Sequence, residues 1–321
     1  MKKLFVSIIA VAALAACAKE ELVSVNQEAI EFGGPFVENV TRAADKSYSG
    51  DKALTAFNLY GTVSSTNGTI NIYNGCEVTG SVGTAVWTCP VNQYWIADAT
   101  YAFAAVADGT VASVDANGMP LTITCNTAVD ANNVQSDLLY ATATATGKAS
   151  GNGKVNFTFN HLLAKAQFTV KSNTEGGYYY SVKNINVNNY VNGTYTIADG
   201  SWTGTGEKAN TAFGNIEKVT KTDTDGLTCE NQRLLIPTTA DFKVSFTVEL
   251  WNDNGTQDTA DDVKLATTTY SGDTAKTVTT DLVAGHAYNF TIALSVGELI
   301  QFTVTTNPTW GDSTTNVPVL Q

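Results

Sequence analysis

The stretch DFKVSFTVELW (241–251) alternates without a break: Phe242, Val244, Phe246, Val248 and Leu250 fall on one face, and Lys243, Ser245, Thr247 and Glu249 on the other. A helix would scatter these apolar side chains around its axis, whereas a pleated strand collects them on one side. A sheet with one apolar face needs a second layer to cover it. The chain offers many candidates. LTAFNLYGTV, GTINIYNG, AVWTCPVNQYWIAD and TYAFAAVAD lie in the first half; VNFTFNHLLAKAQFTVKS, GYYYSVKNINVNNYVNGTYTIADGSW, QRLLIP, HAYNFTIAL and ELIQFTVTTNPTW lie in the second. All are rich in aromatic and β-branched residues and are punctuated by Gly, Asn and Asp, as strands and their turns are. No comparable 3.6-residue period predicts a helix of more than about three turns. The expectation is an all-β chain of sandwich type.

Composition narrows the function. The chain has 321 residues, enough for two medium-sized cores. Apolar residues make up 43% and charged residues 15%, which is a folded rather than a disordered composition. The formal net charge of −12 argues against binding a phosphate backbone, so nucleic acid is not expected as a partner. DLLYATATATG (137–147) reads as an edge strand with a small-residue face. The glycine-rich GKASGNGKV (147–155) reads as a linker, which places a domain boundary near residue 152.

The N-terminus sets the compartment. Lys2 and Lys3 precede the apolar run Leu4 to Ala13, which is too short to span a bilayer as a helix. The run ends in Leu14-Ala15-Ala16-Cys17, which looks like a bacterial lipobox. Cys17 would become the acylated, palmitate-bearing N-terminus, held at the outer membrane by its buried methylenes. The following AKEE resembles the Lys-plus-acidic tag with which Bacteroidetes lipoproteins reach the cell surface. Beyond the lipobox, Ile30 and Phe32 alternate with Glu31 in EAIEFGG, a short strand around Ala29 to Phe32. A polar linker carrying Arg42 separates it from the body.

Nothing in the sequence points to catalysis or to a cofactor. His161 and His286 sit beside strand-like apolar runs, and neither belongs to a recognisable nucleophile or metal motif. WNDNGTQDTADD (251–262) is dense in carboxylates but breaks the EF-hand order, so it reads as a hairpin tip with no metal. Cys76, Cys89, Cys125 and Cys229 remain besides Cys17. Export permits disulfides, four cysteines allow three pairings, and Cys76 with Cys89 could bridge a hairpin; buried free thiols are the alternative.

Four segments in order carry a resemblance. FNHLLAKAQFTV (159–170) resembles the segment that opens the second domain of Bacteroidales fimbrillins. RLLIP (233–237), LVAGHAYNFTIAL (282–294) and FTVTTNPTW (302–310) resemble their later strand elements. With the lipobox and the TRA at 41–43, the likeness spans nearly the whole chain, which is similar to the FimA/Mfa-type subunits of type V pili. The resemblance implies two tandem antiparallel β-sandwich domains of transthyretin-like or Greek-key type. Residues 1–17 would be the signal segment, 18–42 a propeptide with a removable strand, 43–152 the first domain and 153–321 the second, ending in an extended tail.

It also implies a mechanism. A trypsin-like or Arg-specific surface protease would cut between Arg42 and Ala43, removing the lipid together with Ala29, Ile30, Glu31 and Phe32. The opened groove would accept a donor strand from another copy or a related pilin, with Val317, Val319 and Leu320 of the tail as pocket fillers. The protein would be a stalk subunit of an adhesive pilus on the cell surface. The alternatives are a tip or adhesin pilin, or a monomeric glycan-binding surface lipoprotein.

Overall fold

The structure of the chain is a computed structural model that describes residues 28–37, 47–48, 54–80, 87–148, 152–295, 301–307 and 315–319. Among these residues the only helical element is a single 3₁₀ turn at Gly272–Thr274, and the rest of the regular structure is strand. No helix of the described residues is long and apolar enough to cross a membrane.

The second domain is two sheets packed face to face. One layer contains Ala164–Ser172, Ala287–Leu294, Gln301–Asn307 and Thr315–Val319 as neighbours. The other is built around the long strand Tyr178–Thr196, flanked by Ser201–Val219 and Phe242–Asn252. The alternation of residues 241–251 is realised here: Phe242, Val244, Phe246 and Val248 are buried and Leu250 is partly buried against the same core. Their partners come from the opposite layer. Phe168 meets Phe213 edge-on at 4.8 Å between ring centroids, and Phe290 lies 5.1 Å from its sheet neighbour Phe168 and 5.9 Å from Phe242 across the layers. Such aromatic pairs lock the two layers together beyond the area they bury.

The first domain is more lopsided. Its large sheet runs Phe36–Val37, Thr158–His161, Leu139–Thr146, Thr100–Ala107, Ala56–Ser65 and Gly68–Thr79. The layer that covers it is made from short pieces: the pair Glu31–Phe32 with Lys154–Val155, and the irregular segment 87–99. That segment was expected as a strand. It makes only isolated bridges, because Pro90 and a run of turns interrupt it.

The glycine-rich stretch expected as the boundary runs into two strands, 154–155 and 158–161, and Val155, Phe157 and Phe159 here still belong to the first core. The second core begins at Ala164. Between them lies a third cluster in which Leu162 and Leu163 meet Val106, Ile123, Leu138, Leu234 and Ile236. The hairpin of Thr110–Val114 and Pro120–Asn126 also crosses over: Thr122 to Asn126 pair with Thr196 to Asn192 and extend the second domain's sheet. Polar groups stitch the same junction. Gln135 accepts from the Leu234 amide and donates to the Leu234 carbonyl, while the buried Arg233 donates to Ala212 O and Asn133 Oδ1. His161 Nδ1 and Asp137 Oδ2 share a buried hydrogen bond of 2.5 Å.

The edge-strand expectation for the Ala/Thr repeat holds over part of its length. Leu139 and Tyr140 have neighbours on both sides, whereas among the described residues Ala141 to Thr146 pair with the Thr100–Ala107 strand alone. The carboxylate-rich loop joins Phe242–Asn252 to Val263–Tyr270 as a hairpin tip, and its side chains turn inward on the loop itself, as Thr256 Oγ1 does to Asp261 Oδ1 at 2.8 Å. No cluster of three metal-ligating side chains occurs among the described residues.

Because Leu163 is fully buried between the cores, Leu163→Ala should cost about 2–5 kcal/mol in urea denaturation. It should also split one cooperative transition into two. An unchanged single transition would place the coupling between the domains elsewhere.

Candidate functional site

The most consequential feature of the first domain is the slot that holds residues 28–37. Alternation gives this segment one apolar face, and the structure turns that face inward: Ile30 is 6% and Phe32 1% exposed, while Glu31 points to solvent. Phe32 fills the centre of the first core. Its ring lies 5.8 Å from Tyr73, 6.3 Å from Phe103 and 6.3 Å from Phe157. Burying Ile30 and Phe32 stabilises the docked segment by about 1.5–3 kcal/mol each.

The backbone is held from both sides. On one side the segment runs parallel to the 154–159 strands, with Glu31 opposite Lys154, Phe32 opposite Val155, Phe36 opposite Thr158 and Val37 opposite Phe159. Gly33 N donates to Val155 O at 2.9 Å. On the other side lies the irregular 87–95 segment, running antiparallel, with Ala29 opposite Tyr94 and Phe32 opposite Trp87. Ile30 N donates to Gln93 O at 2.8 Å, Trp87 N to Phe32 O at 3.1 Å, and Trp95 N to Glu28 O at 3.0 Å. A main chain buried in this way must have its donors and acceptors paired, and here the segment and its two walls satisfy one another. Gly33 fits because it lacks a side chain: a Cβ there would lie 1.9 Å from Asn156 Oδ1.

The walls are anchored separately. Trp87 stacks on Phe57 at 5.6 Å, and Trp95 meets Tyr101 at 4.7 Å. Tyr101 Oη accepts from the Ile96 amide and donates to Tyr94 O. Gln93 Nε2 donates to Ile72 O. The fit around the docked segment is incomplete. Tyr73 Oη and Trp95 Nε1 are buried at the slot without a hydrogen-bond partner, each costing about 1–3 kcal/mol. Burial also pushes the Tyr73 phenol above its ordinary pKa.

The structure brings Ala29, Ile30 and Phe32 into this slot. Cys17, Arg42, Ala43 and Leu320 lie outside the described residues. Val317 and Val319 belong to Thr315–Val319, whose backbone pairs antiparallel with Gln301–Asn307, Val317 in register with Val304 and Val319 with Phe302. The tail thus forms the outer strand of its own domain. Pro318, which lacks an N–H, is tolerated there opposite Thr303 because an outer strand has a free side. Sequence reasoning missed the second wall. Its only signal was the pair Trp87 and Trp95 in a stretch too rich in turn residues to be an ordinary strand.

Phe32→Ala should lower stability by about 3–5 kcal/mol in chemical denaturation, and Gly33→Ala should loosen the segment without emptying the core. The expected reading for Gly33→Ala is faster amide exchange at Ile30 with little change in global stability. Unchanged exchange at Ile30 would show that the close approach to Asn156 does not hold the segment.

Comparison with known proteins places this geometry in context. The fimbrillin-like family matches residues 41–310, so the match begins beyond the docked segment and ends before the tail strand. Among solved structures the chain is similar to a fimbrial protein from Bacteroides vulgatus ATCC 8482. The two share 16% identity at a TM-score of 0.62, over 87% of this chain and 99% of that one. At that identity the likeness is one of fold. Proteins named for cell adhesion from Bacteroides uniformis ATCC 8492 and Bacteroides ovatus ATCC 8483 share 19% and 14% identity. The first covers 89% of this chain and 98% of its own, the second 92% and 99%, each at a TM-score of 0.49. No curated protein matches the chain.

Proposed function

The chain belongs to the fimbrillin-like family, and on that premise we propose that it is a structural stalk subunit of a cell-surface pilus that assembles by strand exchange. The observation that carries this reading is the two-walled slot filled by residues 28–37, a segment that lies upstream of Arg42. In the proposed sequence Cys17 carries the precursor to the outer membrane as a lipoprotein. The docked segment keeps the slot closed in transit. A surface protease then cuts between Arg42 and Ala43, and the lipid and the docked segment leave together.

Three physical features support the reading. First, an emptied slot would expose a deep aromatic cavity and two rows of main-chain groups, a state whose cost drives the capture of another strand. Second, the tail in its own domain has one backbone neighbour among the described residues, and a tail in the slot of another copy would have two. At about 0.5–1.5 kcal/mol net per hydrogen bond, that difference favours exchange. The contact is head to tail and does not close on itself, so repetition gives a filament. Third, the chain has two arginines, Arg42 and Arg233. Arg233 is 2% exposed and bonded at the domain junction, so Arg42 is the one other candidate for an Arg-specific protease.

Treatment of the lipid-free precursor with an Arg-specific protease should cut after Arg42 and yield ladders on unboiled gels. Arg42→Ala should block both. Equal ladders from Arg42→Ala would remove the proteolytic switch. Deleting residues 315–321 should leave cutting intact and abolish the ladders; ladders that persist would remove the tail as donor.

A further inference from the structure

Segment 87–95 has a precarious place in the proposed exchange. It is one wall of the slot, and three of its main-chain hydrogen bonds go to the segment that leaves. Beside the Gln93 side-chain bond to Ile72 O, what joins it by main-chain pairing to the sheet is the return of the chain alongside the end of the Gly68–Thr79 strand. There Thr79 and Thr88 exchange both backbone hydrogen bonds, at 3.0 and 2.8 Å. In that register Cys89 stands opposite Val78. Cys76, two residues before Val78, is its diagonal neighbour on the same face.

The side chains confirm the register. Cys76 and Cys89 are both partly buried against the first core as free thiols, and both lie beside Tyr73 and close enough to influence each other. The remaining cysteines of the described residues are held apart: Cys125 packs in the cluster between the domains and Cys229 in the second core.

We propose that Cys76 and Cys89 form a disulfide in the exported protein, and that this bridge holds the 87–95 wall in place when the docked segment leaves. The second clause rests on the strand-exchange reading; the first does not. The chemistry is a two-electron oxidation by a disulfide donor, an oxidoreductase of the export compartment or oxidised glutathione. Each thiol gives up a proton, the Cys76 Sγ–Cys89 Sγ bond forms, and the donor's S–S bond breaks to two thiols. In the folded chain burial pushes the Cys89 thiol up to about 12. Attack by a thiolate is therefore slow once the core has closed, and the bridge forms as the domain folds. Closing a short loop next to a strand end removes freedom from the opened state, where the wall keeps one main-chain pairing with the sheet, Thr79–Thr88, beside the side-chain anchors of Gln93 and Tyr101.

The test uses the exported chain, residues 18–321, folded with oxidised glutathione. Its non-reduced, denatured mass should be about 2 Da below the reduced mass, with two of the four thiols titrating and one peptide joining Cys76 to Cys89. Four free thiols, or a bridge to Cys125 or Cys229, would overturn the disulfide. The wall is then read without reference to assembly. After cleavage at Arg42, chymotrypsin is added to the oxidised chain, the reduced chain and the C76S/C89S double variant. Clipping at Trp87, Tyr94 and Trp95 is expected roughly tenfold slower in the oxidised chain than in the other two. Equal clipping in all three would overturn the role in the wall and leave the bridge itself standing. Absence of ladders in these samples would count against strand exchange alone, since neither readout depends on it.

Discussion

A buried main chain must have its hydrogen bonds made, and in this molecule one short segment makes them for two walls at once. Residues 28–37 lie between the 154–159 strands and the irregular 87–95 segment, which have no other contact across the slot in the pairings of the described residues. Phe32 occupies the centre of the aromatic core behind them. The large sheet of the first domain depends on this arrangement, because its covering layer is assembled from pieces that the segment joins.

The two domains divide the work. The second has a core drawn from its own strands, Ala164 to Val304, with both layers continuous. The first completes its core with a piece of chain from beyond the family match. A junction of Leu162, Leu163, Leu234 and Ile236, reinforced by Gln135 and Arg233, ties the less complete domain to the complete one. A subunit that loses a strand from one domain keeps its shape if the other domain and the junction remain intact. In the proposed exchange the tail strand would supply the complement: among the described residues it lies on an outer edge and pairs with one strand, Gln301–Asn307.

Much of this was legible in the sequence because period-two alternation is a local signal. The face of Phe242 to Val248 and the inward pair Ile30 and Phe32 were both read from spacing alone. The domain handover was not. The glycines of 147–155 mark a bend, but Phe157 and Phe159 follow it back into the first core, and no local composition distinguishes them from the strand residues after Ala164. The crossing of the 110–126 hairpin onto the second sheet depends on backbone pairing between Asn126 and Asn192, to which side-chain identity contributes little. The 87–95 wall was hidden for a related reason: its role comes from three main-chain groups, and its turn-rich sequence reports only that it is not a regular strand.

The most direct measurement is amide exchange at Trp87 and Trp95, whose N–H groups donate to Phe32 O and Glu28 O. It should be followed in the uncut precursor, in the chain freshly cut after Arg42, and in the assembled polymer. Strand exchange predicts slow exchange in the precursor, fast exchange after cutting, and slow exchange again once a neighbour's tail has entered the slot. Protection that survives cutting, or that stays lost in the polymer, would contradict it.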